Sequence, residues 1–136
     1  MNNNFTPYEE SIELKELGFD EKCLTSYNPK KELVGVFDTA LQNDDVEVED
    51  CFVFNSEVHT TFVAAPLYQQ AFKFFREKYN LICSVQYMGK NKINWWDIYI
   101  VGHYNIHYEE MCMKYESYEE AELAGLKKLI EIAKTK

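Results

Sequence analysis

His103 and His107 stand four residues apart, four cysteines (Cys23, Cys51, Cys83 and Cys112) are spread along the chain, and Glu122 falls among apolar residues near the C-terminus. From such residues a metal site, a nucleophile with its base, or a tuned carboxylate is built. On a helix, two histidines four apart share a face and can hold one ion. The segment from His103 to Tyr108 reads as a strand, however, and there the same spacing sets them about 13 Å apart. They are read as two residues on one sheet face, open to ligand contact rather than to chelation. The acids Asp44, Asp45, Glu47, Glu49 and Asp50 lack the central glycine and distal glutamate of an EF-hand loop. A solvated strand edge accounts for them. None of the cysteines belongs to a CxxC pair, and no glycine stands in a GxGxxG or GxxxxGK setting. No metal and no cofactor is expected, and no catalytic set is readable.

A second constellation combines charge with aromatic rings. The whole chain carries −9, yet residues 67–96 carry +4, through Lys73, Arg76, Lys78, Lys90 and Lys92 against Glu77 alone. Tyr87, Trp95 and Trp96 flank the Lys90/Lys92 turn, and cations beside aromatic rings are the means by which single-stranded nucleic acid is held. The same residues also make an aromatic core strand beside a solubilising turn. The acidic balance disfavours nucleic acid as a partner. Glu122 shares the inner face of the last helix with Tyr118, Leu126 and Leu129. It either reaches out to solvent at the helix start, pairs with a lysine or tyrosine, or acts as a functional carboxylate. The candidate binding residues are therefore Lys90, Lys92, Trp95, Trp96, His103, His107 and Glu122.

Three helices and several strands must position these groups. Thr6-Pro7-Tyr8-Glu9 reads as a capping box that opens a helix over about 7–17, with Gly18-Phe19 as its stop. Pro66 starts a second helix over about 66–79, where Leu67, Tyr68, Ala71, Phe72, Phe75 and Tyr79 recur at helical spacing and Asn80 ends the run. Ser117-Tyr118-Glu119-Glu120 is a second capping box and opens a helix over about 118–134. Strands are expected at 23–27 and 32–37 around the Asn28-Pro29-Lys30 turn, at 46–54 with an extension over 58–63, at 81–88 and 93–101 around a Gly89-Lys92 turn, and at 103–108. The expectation is an α+β fold: an antiparallel-dominated sheet of five to seven strands packed against three helices.

The 136 residues fit one domain, spanning 1–136, and 46% hydrophobic with 15% aromatic residues supplies a core. The cysteines are read as reduced thiols, the longest apolar runs are far short of the roughly 20 residues that cross a bilayer, and a cytoplasmic setting is expected. The stretches from Pro66 to Tyr79 and Tyr118 to Ile132, with Phe5-Thr-Pro-Tyr8 and Leu17-Gly-Phe-Asp20, resemble small proteins of gut Bacteroidetes and of their phages and mobile elements, to which no chemistry is assigned. That resemblance implies a bacterial or phage-encoded accessory protein and transfers no site residue. With no site motif and many tyrosines, the expectation is a protein–protein interaction module that binds a protein partner or itself. The alternative is a small-molecule or nucleic-acid binding domain, with hydrolysis as a further possibility, in a cleft lined by groups such as His103, Tyr104, His107 and Glu122.

Overall fold

The structure, a computed structural model, describes residues 4–35, 52–89, 95–102, 107–108 and 114–135. They gather into two compact units, Met1–Gln70 and Ala71–Lys136.

The first unit contains helix α1 (Tyr8–Glu16) and strands β1 (Thr25–Tyr27), β2 (Leu33–Gly35) and β3 (Val63–Ala64). The strands form an antiparallel sheet in the order β2-β1-β3. Asn28 makes the β1–β2 turn, since its Oδ1 accepts the amides of Lys30 and Glu32 at 2.9 and 3.0 Å. α1 stops as its sequence dictates. Gly18 takes a φ of 93°, its amide donates to Lys15 O, and the Phe19 amide donates back to Leu14 O at 2.9 Å. Leu14 and Phe19 are both buried. The start of α1 differs from the expected capping box: Pro7 is the N-cap and makes no side-chain bond. Thr6 is instead fully buried, its Oγ1 2.7 Å from Ser11 Oγ, and its carbonyl accepts the Tyr27 hydroxyl at 2.9 Å. Thr6 thus ties helix to sheet rather than capping the helix.

The 46–54 strand lies mostly outside the described residues. Of the 46–54 strand, the described part contributes Val53, which exchanges amide–carbonyl bonds of 2.8 Å in both directions with Cys23. The 58–63 extension gives way, after a turn over Asn55 to Glu57, to a bend at Val58 and a turn at Thr60 and Thr61, and Val63 alone of that stretch joins β3. Asn55 explains this: its Nδ2 donates to Phe19 O and its Oδ1 accepts the buried Ala64 amide, at 2.8 and 2.9 Å. A side chain replaces the ladder there.

Helix α2 (Tyr68–Tyr79) contains the boundary between the units. The second unit continues with β4 (Ile82–Tyr87), β5 (Trp96–Val101), β6 (His107–Tyr108) and α3 (Tyr118–Lys134). Asn80 ends α2 with a φ of 53°, and the Leu81 amide closes on Phe75 O at 3.1 Å. The strands form a second antiparallel sheet in the order β4-β5-β6, and α3 packs across β4 and β5. Cys83, Val85 and Tyr87 of β4 pair with Ile100, Ile98 and Trp96 of β5, so these six share the face that α3 covers. Ile98, Ile100, Leu126 and Leu129 are buried in that layer.

The fold is α+β with three helices and antiparallel strands among the described residues, but those strands form two three-stranded sheets rather than one. Pro66 has no amide to extend a ladder, and the α2 helix that follows it separates the strands before residue 64 from those after residue 82. No helix among the described residues is long and apolar enough to cross a membrane.

Candidate functional site

Of the sequence-derived titratable residues, Glu122 is the one whose side chain falls among the described residues, and it lies among other titratable groups. It lies one turn into α3, 9% exposed, on the face turned to the sheet. The cap fixes that turn: Ser117 Oγ accepts the Glu120 amide at 3.1 Å. Glu120 Oε2 accepts the Glu116 amide at 3.2 Å. With α3 so started, Tyr118 and Glu122 fall on one side of the helix, four residues apart. The Tyr118 hydroxyl donates to the Glu122 carboxylate. Three residues on, Gly125 lets α3 approach the sheet, because a Cβ there would stand 2.7 Å from Cys83 Sγ. Glu122, Tyr118 and Cys83 therefore meet where helix and β4 are closest.

The electrostatics follow from that closeness. Loss of solvent pushes the Glu122 carboxyl above its ordinary value of 4.5, the Tyr118 hydroxyl pulls it partly back, and Glu119 pushes it up again. Tyr118 is raised in turn by burial and then by the Glu122 carboxylate it serves. Cys83 is pushed up to about 12, first by burial and then by the charge of Glu122. Burial, then Glu21 and Asp20, do the same to Cys23 in the first unit. Both thiols are protonated at neutral pH and so are poor nucleophiles.

The raised Glu122 gives a pH signature with a definite sign. A carboxyl that holds its proton more tightly when folded stabilises the fold fully below the ordinary value of 4.5, and this contribution is lost as pH rises through the folded value. Urea melts of wild type and Glu122→Gln across this window should show wild type losing ground relative to the variant as pH rises. A difference that stays level, or grows in favour of wild type, would contradict the burial described.

Above Glu122 lies a series of rings. Tyr118 meets Trp96 edge-to-face, with centroids 5.3 Å apart and planes at 80°, and Trp96 meets Tyr87 at 5.1 Å and 61°. The Tyr87 ring folds over Gly89, where a Cβ would collide with it. Tyr87 is 53% exposed, Met88 42% and Tyr118 41%. Trp95 is half-buried, with Lys114 Nζ 5.6 Å from its ring centre. One end of the second unit thus presents Tyr87, Met88, Trp95, Trp96 and Tyr118, with a carboxylate beneath.

The remaining sequence-derived residues do not join this group in the described structure. Lys90, Lys92 and His103 lie outside the described residues, as does Tyr104, and His107 is placed by its backbone in β6. Two of the three cations of α2 are engaged on their own helix: Lys73 pairs with Glu77 at 3.9 Å, and Lys78 lies over the rings of Phe74 and Tyr79 at 5.4 and 5.6 Å. Among the described residues, no three His, Cys, Asp or Glu side chains converge as a metal-ligand set. The sequence reading grouped Tyr87 with Trp95 and Trp96 but left it out of the candidate binding residues, and it missed Cys83 and Gly125 as neighbours of the site. A signal for each was present: the hairpin register sets Tyr87 opposite Trp96, and a glycine within an apolar helix face marks a close approach. The arrangement can stack rings and accept hydrogen bonds, and it lacks an activated nucleophile among the described residues. Comparison with known proteins gives no family model, no curated protein and no solved structure that matches the chain.

Proposed function

We propose that the chain is a protein-interaction module whose contact surface is the aromatic end of the second unit. The observation that carries this reading is the edge-to-face series Tyr87–Trp96–Tyr118, exposed at both ends and flanked by exposed Met88. Tyrosine, tryptophan and methionine are enriched in protein interfaces, and binding energy concentrates on such rings when neighbouring groups exclude water around them. Each ring is held by the next, so little side-chain freedom is left to lose on binding. The net charge of −9 keeps nonspecific nucleic-acid binding low. The resemblance to small proteins of gut Bacteroidetes and their phages suits an accessory protein acting in the bacterial cytoplasm.

The test is capture of partners by the immobilised full chain from a Bacteroidetes lysate, with Tyr87→Ala/Tyr118→Ala and, as control, Lys30→Ala on the first unit. Partners held by wild type and by the control should fall roughly tenfold or more with the double variant, the loss expected from removing two interface rings. Equal retention by all three chains would refute the reading. So would a bait that captures nothing yet turns over a small molecule.

A further inference from the structure

We infer that Glu122 is a proton-operated latch on the aromatic end of the second unit: its carboxylate holds the Tyr118 hydroxyl, Tyr118 braces Trp96, and a proton taken up by Glu122 loosens both. This rests on the interaction-module reading and names a regulation of that same surface, firm when Glu122 is ionised and slack when it is protonated.

The first support is geometric. The Ser117 cap fixes the backbone of Tyr118 as the first residue of α3, and the four-residue spacing brings its side chain over Glu122. The hydroxyl bond to the Glu122 carboxylate and the edge-to-face contact with Trp96 at 5.3 Å then orient the ring. Part of the Tyr118 ring is exposed, so packing covers it only partly and the hydroxyl bond is a large share of what orders it. Glu122 itself is buried where Gly125 brings α3 against Cys83, and little water competes for the bond there. A hydrogen bond to an ionised carboxylate is roughly twice as strong as one between neutral groups. The protonation state of Glu122 therefore sets how tightly the ring is held.

The second support is thermodynamic. The Tyr118 hydroxyl favours the ionised form of Glu122 against the burial that disfavours it. Such coupling is reciprocal: the factor by which the Tyr118 contact weakens proton binding at Glu122 is the factor by which a proton there weakens the Tyr118 contact. The described neighbours leave the switching to Glu122. On its own helix it faces Tyr118 and Glu119. Across from α3, β4 brings Cys83 to that face, and β5 brings Trp96, Ile98 and Ile100, with Asp97 on the opposite face. The Cys83 thiol, pushed up to about 12, and the Tyr118 hydroxyl, raised above its ordinary value, both keep their protons through the neutral range. Glu119 adds charge that pushes the Glu122 midpoint upward.

Fold and surface respond to this proton with opposite signs. Burial favours protonated Glu122 in the folded chain, so the stability it contributes is lost as pH rises through the folded value. The hold on Tyr118 belongs to the ionised form and is lost as pH falls. A buried acid with a structural role alone would show the first response and not the second.

Carbon-13 NMR of the full chain with labelled tyrosine and glutamate, titrated over about pH 4–8, tests this. The Tyr118 ring resonance, identified by its absence from Tyr118→Phe, should move through a step with a midpoint above 4.5 and report a more mobile ring on the acid side. Glu122→Gln fixes a neutral group of the same shape, and should abolish the step and leave the ring mobile at every pH. Glu119→Gln should keep the step and lower its midpoint. In Tyr118→Phe the Glu122 carboxyl should bind its proton roughly fivefold more tightly than in wild type, the difference between a charge-assisted and a neutral hydrogen bond. A Tyr118 ring equally ordered at both ends of the titration, a step that survives Glu122→Gln, or a Glu122 midpoint unmoved or lowered by Tyr118→Phe would overturn the latch. Each of these outcomes leaves the aromatic surface to be judged by its own capture experiment at a single pH.

Discussion

Phe75→Ala should lower the unfolding free energy by about 3–5 kcal/mol, the cost of deleting a fully buried aromatic ring whose surroundings collapse only in part. Phe75 has no exposed surface. Its ring sits 5.4 Å from Phe74 and 5.9 Å from Tyr79, and its carbonyl receives the Leu81 amide that leads into β4. The ring therefore anchors the end of α2 from which the second sheet departs. Small domains hold roughly 5–15 kcal/mol in total, so the loss is a large share. It should appear as a lower urea midpoint with an unchanged slope. Phe75→Leu, which refills much of the volume, should lose clearly less. A midpoint shift for Phe75→Ala equivalent to below about 1 kcal/mol, the range of ordinary surface changes, would show that the ring is not a core pillar.

The second large effect is expected at Gly125. Alanine normally favours a helix over glycine by about 1 kcal/mol, yet here its Cβ would meet Cys83 Sγ at 2.7 Å and Ile98 Cγ2 at 3.6 Å. Sulfur and a β-carbon cannot share that space, so α3 must lift from β4 or Cys83 must leave its rotamer. Overpacking of this kind costs about 1–3 kcal/mol, enough to cancel the helix gain and to reverse it at the upper end. A double-mutant cycle isolates the cause. Cys83→Ala removes the sulfur, so Gly125→Ala should cost little or become stabilising in that background, with a coupling energy of about 0.5–3 kcal/mol. Additive effects would mean that helix and strand do not meet as described.

Much of this architecture could be read in the sequence, and the reasons differ by element. α3 begins and ends where expected because capping and periodicity agree: Ser117 provides a cap, and Leu126, Leu129, Ile130 and Ala133 repeat on one face. α2 starts two residues later than expected, at Tyr68, because the Leu67 amide is taken by Gln70 Oε1 at 3.0 Å. The first hairpin was legible from its Asn28 turn, and the second from the apolar runs that pair as β4 and β5, its turn lying largely outside the described residues. The division into two sheets was not, since local pattern says which residues extend but not which strands stop pairing. Thr6 shows the same limit. Its place before Pro7 matches a capping signature, and tertiary hydrogen bonds to Ser11 and Tyr27 overrode it.

The site was legible in part. Phase alone placed Glu122 on the inner face of α3 and offered solvent, a lysine or a tyrosine for its carboxylate, and Tyr118 is the partner found. The aromatic series was not foreseen as a series, because it joins β4, β5 and α3 across about thirty residues of chain and needs the strand register to assemble. The basic island reads differently once Lys73 and Lys78 are seen facing their own helix neighbours. Charge counted along a sequence says nothing about where each cation points.

The chain holds two tryptophans, Trp95 and Trp96, both at the aromatic end of the second unit and adjacent in sequence. Their fluorescence is therefore a built-in local reporter. Excited selectively, the indole pair views Tyr87, Tyr118 and Lys114 at close range and receives no tryptophan background from residues 1–70. A ligand or a second chain seated on that end would alter the emission colour without any dye, and under shorter-wavelength excitation that also reaches tyrosine, the two rings set edge-on to Trp96 would feed it energy for as long as they stay together.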